Sequence, residues 1–217
     1  LKNFINQKTK IIVQNNDDKN FFIKNNIISK DKIVIISGSG VNIDEYQDTS
    51  WKYAKNIVLF PSRLLKDKGL MEFVSSAKLL KSRYKNWKFV LAGSLESNNP
   101  SKINKKLLNQ WIDEDIIEWL GHVENINKIF IQSSIICLPS YREGMPKSLQ
   151  EAAASGRPVV TTDTTGCREV IINNVTGILV PIKDISNLSL AIEKLILDEK
   201  LRKNFGKNGK RLAIDKF

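Results

Sequence analysis

The alternation of short apolar runs with longer amphipathic segments constrains the fold of this 217-residue chain more than any other feature. From residue 56 onward, runs rich in Ile, Val and Leu alternate at least five times with segments whose apolar residues recur at three-to-four spacing. The runs are NIVLFPSR, KFVLAGS, DIIEWLGHV, IICLPS, RPVVTTD and TGILVP. Continuous apolar strands are typical of a parallel sheet covered on both faces. We therefore predict an α/β fold with a doubly wound, Rossmann-like parallel sheet, which binds ligands beyond the carboxyl ends of its strands.

The segments that flank this alternation are assigned by the same criteria. Residues 10–15 (KIIVQN) predict a short strand, DDKNFFIKN a helix, and DKIVIISGSGVN a strand that runs into a glycine turn. The polar stretch VNIDEYQDTSWKYA predicts a crossing loop, and two helices, DISNLSLAIEKLILD and KLRKNFGKNGKRLAIDKF, close the chain. Intervening helices include GLMEFVSSAKLLKSRY, SKINKKLLNQWI, ENINKIFIQSS, PKSLQEAAAS and the short CREVIINN.

Composition narrows the class of protein. No apolar run approaches the roughly 20 residues that span a bilayer, and no charged-then-apolar leader is visible, so we expect a soluble protein that is not secreted. Cys137 and Cys167 form no disulfide framework and fit a reducing compartment. With one histidine in the chain, a metal site is not expected. We therefore predict a cytoplasmic protein.

The net charge of +11 raises the question of a nucleic-acid partner. The lysines are scattered over helix positions, and no basic stretch is interleaved with aromatic residues that could stack on bases. We therefore expect no nucleic-acid partner. A basic surface suits acidic ligands or an anionic membrane face instead.

The stretch EGMPKSLQE places two carboxylates on a strand-to-helix connection. Glu143 follows an apolar strand and lies on a loop, Pro146 suits the first turn of a helix that Gly156 ends, and Glu151 lies in the second turn. The free N–H groups at the helix start favour phosphate, and the carboxylates can accept hydrogen bonds from sugar hydroxyls. The stretch therefore predicts a site for a sugar phosphate or nucleotide. The alternative is that both glutamates are solvated surface charges.

Two cations follow the strand NIVLFPS. Arg63 offers a planar fork of donors and Lys68, directly before Gly69, a mobile point charge, so together they could clamp a diphosphate. The alternative is a solvated helix start. However, basic residues oppose the dipole at a helix N-terminus, which favours another reason for their presence.

The other strand ends carry glycine or polar residues. Gly93 follows KFVLA as a residue that permits close approach, residues 121–123 (GHV) follow IIEWL, and the polar turn 164–169 follows VVTTD. His122 could act as a general base, but we favour a loop residue whose backbone faces the ligand. Polar and glycine residues at the carboxyl ends of the strands, combined with apolar strand interiors, indicate a single site at that edge of the sheet.

The motif Gly38-Ser39-Gly40 is a weak signal. A dinucleotide fingerprint needs G-x-G-x-x-G opening a helix, whereas VNIDEY follows here, and no Walker loop is present. We therefore do not expect NAD binding or nucleotide hydrolysis.

Five segments in this order resemble the C-terminal, donor-binding half of family 4 glycosyltransferases with the GT-B fold. They are FPSRLLKDKGL, FVLAGS, WLGHV, LPSYREGMPKSLQEAAASGRPVVTTDTTGCREVI and NVTGILVP. The resemblance covers about residues 32–217. It implies that residues 1–36 are a remnant of the acceptor-side domain and linker, and that residues 37–217 form the nucleotide-sugar donor-binding domain.

The resemblance also implies roles for individual residues. Arg63 and Lys68 would hold the donor diphosphate, Glu143 would face the donor sugar as the catalytic candidate, and Glu151 would accept from the ribose hydroxyls. The other implied donor contacts are Gly93, the backbone around His122 and Val123 at the base, Gly144, Met145, Pro146 and Lys147 along the sugar and phosphate pocket, and Ser148 and Leu149 near phosphate and ribose.

The implied reaction is transfer of a hexose from a nucleotide sugar, for which we expect a UDP-sugar rather than a GDP-sugar. The anomeric configuration is retained, and no metal or other cofactor is needed. The implied acceptor is a glycan or a lipid-linked bacterial surface glycan, bound by the missing N-terminal domain at the inner face of the membrane. The chain alone is then expected to bind donor and to transfer poorly. The alternatives are a nucleotide-sugar-binding module without turnover, and a GT-B relative such as an epimerase or phosphorylase with its own catalytic groups.

Overall fold

A six-stranded parallel sheet forms the centre of the molecule in a computed structural model that describes residues 8–46, 50–96 and 98–217. The strands are β1 Ile11–Val13, β2 Ile33–Ile35, β3 Ile57–Pro61, β4 Lys88–Ala92, β5 Glu118–Trp119, β6 Ile135–Leu138, β7 Val159–Thr162 and β8 Gly177–Val180. The helices are α1 Asn16–Lys24, α2 Leu70–Lys81, α3 Lys105–Asp113, α4 Ile126–Gln132, α5 Lys147–Ala154, α6 Cys167–Val170, α7 Ile185–Leu197 and α8 Glu199–Lys216.

The order of strands in the large sheet is β5-β4-β3-β6-β7-β8, and all neighbours are parallel. The chain winds outward from β3 through β4 to β5, then crosses back and winds outward on the other side through β6, β7 and β8. This is a doubly wound sheet, so the predicted fold class is confirmed. In such sheets the ligand crevice lies outside the carboxyl ends of the two strands where the direction reverses, which are β3 and β6 here.

The interior of the sheet is buried on both faces. Val58, Leu59 and Phe60 of β3 have no exposed surface, and neither do Ile135 to Cys137 of β6. Helices α2 and α7 pack against each other, as do α5 and α8. Because right-handed crossovers place the helices of the two windings on opposite faces, these two pairs cover the two sides of the sheet. Burying each large apolar side chain stabilises the fold by about 1.5–3 kcal/mol.

Several elements differ in extent from their predictions. β5 has two residues instead of the whole of DIIEWLGHV, and α6 ends at Val170, because Ile171 is extended. Pro146 lies one position before α5 instead of in its first turn, since its ψ of 114° is extended. The predicted crossing loop contains two short 3₁₀ helices, Ile43–Tyr46 and Trp51–Tyr53, while its residues 47–49 lie outside the described part.

The N-terminal part forms a separate small sheet. β1 and β2 pair in parallel, α1 connects them, and Val13, Ile28 and Ile33 form a hydrophobic cluster of their own. The predicted strand–helix–strand order is confirmed. Its assignment to residues 1–36 of an acceptor-side domain stays a prediction, and residues 1–7 lie outside the described part.

The loop after β3 contacts the loop after β6 through backbone atoms. Gly69 has a φ of +74°, and a Cβ atom on it would lie 2.0 Å from the carbonyl oxygen of Pro139. Tyr141 donates its N–H to the Asp67 carbonyl at 2.9 Å. The two loops that frame the crevice are therefore held together at a position where only glycine fits.

Replacing Gly69 by alanine tests this close approach, with Gly121→Ala as a matched control. Gly121 has a similar φ of +70° but open space around its Cβ position. We expect Gly121→Ala to lower the free energy of unfolding by about 1–2 kcal/mol through backbone strain, and Gly69→Ala by about 1–3 kcal/mol more through overpacking. Urea unfolding measures both; equal losses would contradict the close approach.

Candidate functional site

An ion pair joins the two loops at the point where the sheet reverses direction. Lys68 follows β3 and Glu143 follows β6, and the Lys68 Nζ atom lies 2.6 and 2.8 Å from the two Glu143 carboxylate oxygens. The side chains are only 18% and 12% exposed. Residues 75 positions apart in the chain therefore form one charged centre at the crevice that the fold predicts.

The pair explains why a lysine is stable at the start of α2. A cation opposes the helix dipole there, but Glu143 compensates it with two short charge-assisted hydrogen bonds. A lysine ammonium has three N–H donors, so the two contacts to Glu143 leave one donor for another acceptor. The arrangement can hold an anionic oxygen beside a carboxylate.

The loop after β7 fixes the backbone of Glu143. The Glu143 N–H donates to the Thr165 carbonyl at 3.1 Å. Gly166 has a φ of +83°, and a Cβ atom on it would lie 2.4 Å from the Glu143 carbonyl oxygen. The polar character of this turn was predicted from the sequence, but a place for Thr165 and Gly166 in the site was not. The positive φ of Gly166 indicates the close approach to Glu143, and only the structure reveals this φ.

The start of α5 lies directly after this loop and has no side-chain cap. Pro146 occupies the N-cap position and offers no hydrogen-bonding side chain, Lys147 is exposed, and Ser148 is half-buried. The first N–H groups of a helix carry partial positive charge and need acceptors. This helix start therefore lacks a side-chain cap, and its binding of phosphate, inferred from the stretch EGMPKSLQE, stays a prediction.

Glu151 lies in a different environment from Glu143. Its side chain is 14% exposed and lies 3.9 Å from the ammonium of Lys147. It lines a polar cavity of about 390 Å³, whose other lining residues are Ser39, Gly40, Val41, Asn42, Glu45, Tyr46, Lys147 and Phe217. Burial raises the pKa of the Glu151 carboxyl, the Lys147 charge lowers it in part, and the Glu45 charge raises it further.

The Gly38-Ser39-Gly40 segment contributes to this cavity as a turn. Both glycines have positive φ, +74° and +72°, and a Cβ atom on Gly38 would lie 3.0 Å from side-chain atoms of Met145 and Gln150. The turn itself was predicted from the sequence, but no ligand-binding role was assigned to it once the dinucleotide motif had been rejected. Its proximity to Glu151 was missed because no local pattern connects residues more than 100 positions apart.

The remaining predicted residues are of three kinds: residues at the carboxyl ends of strands, a glycine that joins two of these loops, and residues that are largely buried. Arg63 and His122 are exposed at the carboxyl ends of β3 and β5, and Val123 is half-buried against the core. Gly93 joins these loops. Its N–H donates to the Gly121 carbonyl at 2.8 Å, and a Cβ atom on it would lie 3.0 Å from the backbone nitrogen of Arg63. Arg63 has no side-chain hydrogen bond or ion pair within the described ranges, so its guanidinium is available to a ligand.

The third group is largely buried. Met145 is 9% exposed, and Leu149 has no exposed surface. The Leu149 N–H donates to the Pro146 carbonyl at 3.1 Å. The side chain of Leu149 therefore belongs to the core and its N–H already has a backbone acceptor, while its place beside phosphate and ribose stays a prediction.

The described ranges hold no group of three or more His, Cys, Asp or Glu residues placed to bind a metal ion. They also hold no helix that is both long and apolar enough to cross a membrane.

The raised pKa of Glu151 predicts how stability depends on pH. Below the ordinary pKa of glutamate the carboxyl is protonated in both states, and as pH rises through the raised native value its ionisation weakens the native state. We expect Glu151→Gln to increase the free energy of unfolding at about pH 7, by an amount that shrinks toward about pH 4. Urea unfolding at both pH values measures this, with the exposed Glu124→Gln as control. A less stable Glu151→Gln variant at neutral pH would refute the assigned burial cost.

Comparison with known proteins places this geometry in a family. The family model "Glycosyl transferases group 1" matches residues 42–212. The chain is 34% identical over 212 residues to a Campylobacter jejuni N,N'-diacetylbacillosaminyl-diphospho-undecaprenol alpha-1,3-N-acetylgalactosaminyltransferase, a match that covers 92% of this chain and 54% of that protein. It is 32% identical over 221 residues to the capsular polysaccharide biosynthesis glycosyltransferase CapM of Staphylococcus aureus, covering 96% and 58%.

A solved structure shares the fold. HepE of Anabaena, in complex with UDP and glucose, superposes with a TM-score of 0.84 at 20% identity, covering 96% of this chain and 59% of that one. The chain spans little more than half the length of each of these three proteins. Its six-stranded sheet matches the GT-B architecture of its structural neighbours, and the chain belongs to the group 1 glycosyl transferases.

Proposed function

We propose that this chain is the donor-binding half of an enzyme that transfers a sugar from a nucleotide sugar, with UDP as the nucleotide, to a glycan or lipid-linked acceptor. The observation that carries the proposal is the Lys68–Glu143 ion pair at the sheet reversal, next to the uncapped start of α5. This combination offers a cation and helix amides to a diphosphate, and a carboxylate to the sugar attached to it.

The relatives support the donor and acceptor classes. One acts on a diphospho-undecaprenol-linked sugar, another belongs to capsular polysaccharide biosynthesis, and a structural neighbour was solved with UDP and glucose. The acceptor would be bound by a part of the enzyme outside residues 37–217. The net charge of +11 suits an anionic membrane face, where a lipid-linked acceptor resides.

Catalysis is proposed to be electrostatic. Negative charge grows on the diphosphate as the glycosidic bond breaks, and groups aimed at that charge lower the barrier. Lys68 has one N–H donor beyond its contacts with Glu143, Arg63 is unpaired among the described residues, and the first amides of α5 lack a side-chain acceptor. We propose that these groups take the place of a metal ion and that transfer retains the anomeric configuration.

The two carboxylates then have different tasks. Glu143 would accept from hydroxyls of the donor sugar, and Glu151 from the ribose, while the backbone around the exposed His122 and the Gly93 turn would border the base. Because Glu151 lines a cavity with Ser39, Asn42 and Tyr46, the segment 39–46 would form part of the ribose side of the site.

Donor binding by the 217-residue chain tests the proposal. We expect calorimetry to show binding of UDP-sugars in preference to GDP- and ADP-sugars, and we expect Arg63→Ala and Glu151→Ala each to weaken it by about 1–3 kcal/mol, as for hydrogen bonds to charged groups. Lys85→Ala is the control, since Lys85 is exposed and precedes β4 at the opposite edge of the sheet. Unchanged affinity in both site variants would refute the assignment. Sugar transfer by the full-length protein distinguishes an enzyme from a binding module.

Replacing Lys68 and Glu143 one at a time tests their individual roles in ligand binding. We expect Lys68→Met to weaken UDP binding by about ten-fold, because a charge-assisted contact to the diphosphate is lost. Glu143→Gln should keep UDP affinity or increase it, since it removes a negative charge beside the diphosphate, but should abolish any preference for UDP-glucose over UDP. Calorimetry with UDP and UDP-glucose measures both effects. If Glu143→Gln weakened UDP binding as much as Lys68→Met, Glu143 would not be the sugar contact.

A further inference from the structure

The junction of β1 and α1 contacts the loop that carries Glu143. Asn15 is 2% exposed, and its Nδ2 atom donates to the Gly144 carbonyl at 2.8 Å. Its Oδ1 atom accepts the N–H of Asp18 at 2.7 Å and so caps α1. One buried amide therefore serves both as the helix cap and as a hydrogen-bond donor to the loop of the proposed site.

Neighbouring side chains reinforce this contact. The side-chain oxygen of Gln14, directly after β1, packs against Gly144, since it would lie 2.0 Å from a Cβ atom there. Arg142 forms an ion pair with Asp18 in the first turn of α1. The loop is thus held against the N-terminal segment on both sides of Glu143.

The same helix turn reaches the loop after β7. Thr165 donates its hydroxyl to the Asp17 carboxylate at 3.0 Å, and the guanidinium of Arg168 lies 3.6 Å from it. Since the Thr165 carbonyl also accepts the Glu143 N–H, the N-terminus of α1 supports Gly144 directly through Asn15 and the Glu143 backbone indirectly through Asp17 and Thr165.

We propose that Asn15 is a positioning residue that holds the Gly144–Met145 peptide, and with it the loop that carries Glu143, in its donor-binding orientation. Gly144 has no side chain to restrict rotation, so the orientation of the peptide that follows depends on the acceptor role of its carbonyl. The Asn15 amide satisfies that carbonyl, while Lys68 holds the carboxylate of Glu143. The expected effect on sugar binding rests on the function proposed above, whereas the effect on the loop does not.

Capping alone does not account for Asn15. Asn104 also caps a helix, α3, since its side chain accepts the Lys106 N–H at 2.8 Å, but that side chain is exposed and makes no second hydrogen bond within the described residues. Serine and aspartate are good helix caps, so Asn15→Ser and Asn15→Asp keep the cap and remove the Nδ2 donor, which serves Gly144 and also the Asp18 carboxylate at 2.9 Å. Asn104→Ser and Asn104→Asp are the matched controls.

Two measurements on the 217-residue chain test the proposal. The first is amide hydrogen exchange of Glu143 without ligand, which we expect to become faster in both Asn15 variants and to stay unchanged in both Asn104 variants. The second is calorimetry with UDP and UDP-glucose. We expect the Asn15 variants to bind UDP-glucose about five-fold more weakly, the scale of one hydrogen bond, and UDP less than about two-fold more weakly.

The outcomes separate the two proposals. Unchanged exchange at Glu143 overturns the role of Asn15, and so does an equal loss for UDP and UDP-glucose, which would indicate a general structural effect. If the unaltered chain binds neither ligand, the proposed function fails, and the exchange measurement alone decides whether Asn15 holds the loop.

Discussion

The ion pair between Lys68 and Glu143 is the interaction on which the rest of the proposed site depends. It exists because β3 and β6 are neighbours, although a whole winding of the chain separates them. Both charges are mostly withdrawn from water, so removing one would leave the other uncompensated at a substantial cost in stability. The reversal of the sheet therefore creates the charged centre, and the centre in turn ties together the two loops that frame the crevice.

Backbone contacts between neighbouring loops make this edge of the sheet rigid. Gly69 and Gly166 each bring one loop within reach of a carbonyl on the next, and Gly93 does the same near Arg63. Side chains on loops are usually less well ordered than those on helices and strands. Here the loops support one another, and the N-terminal segment adds support through Asn15. Such preorganised groups are what electrostatic catalysis requires.

Much of the fold and part of the site could be predicted from the sequence. The positions of Lys68 and Glu143 at strand ends were predicted from the apolar runs before them, and the structure places both at one crevice. Their direct contact was not predicted, since a strand pattern does not report strand order. A role for Leu149 beside phosphate and ribose was implied only by the family resemblance, and the structure shows that its side chain is buried. The ligand roles of Arg63, His122 and Glu151 stay predictions.

The amino-acid sequence by itself determined the class of fold, because the periods of apolar residues encode which faces are buried, and it determined which strand ends carry polar groups. Only the tertiary structure decided which of those groups meet. The contacts of Glu143 with Lys68, of Glu151 with the segment 39–46, and of Asn15 with Gly144 all join distant parts of the chain. Such contacts follow from strand order and from the close approach of backbones at glycine, and neither property is expressed in local sequence patterns.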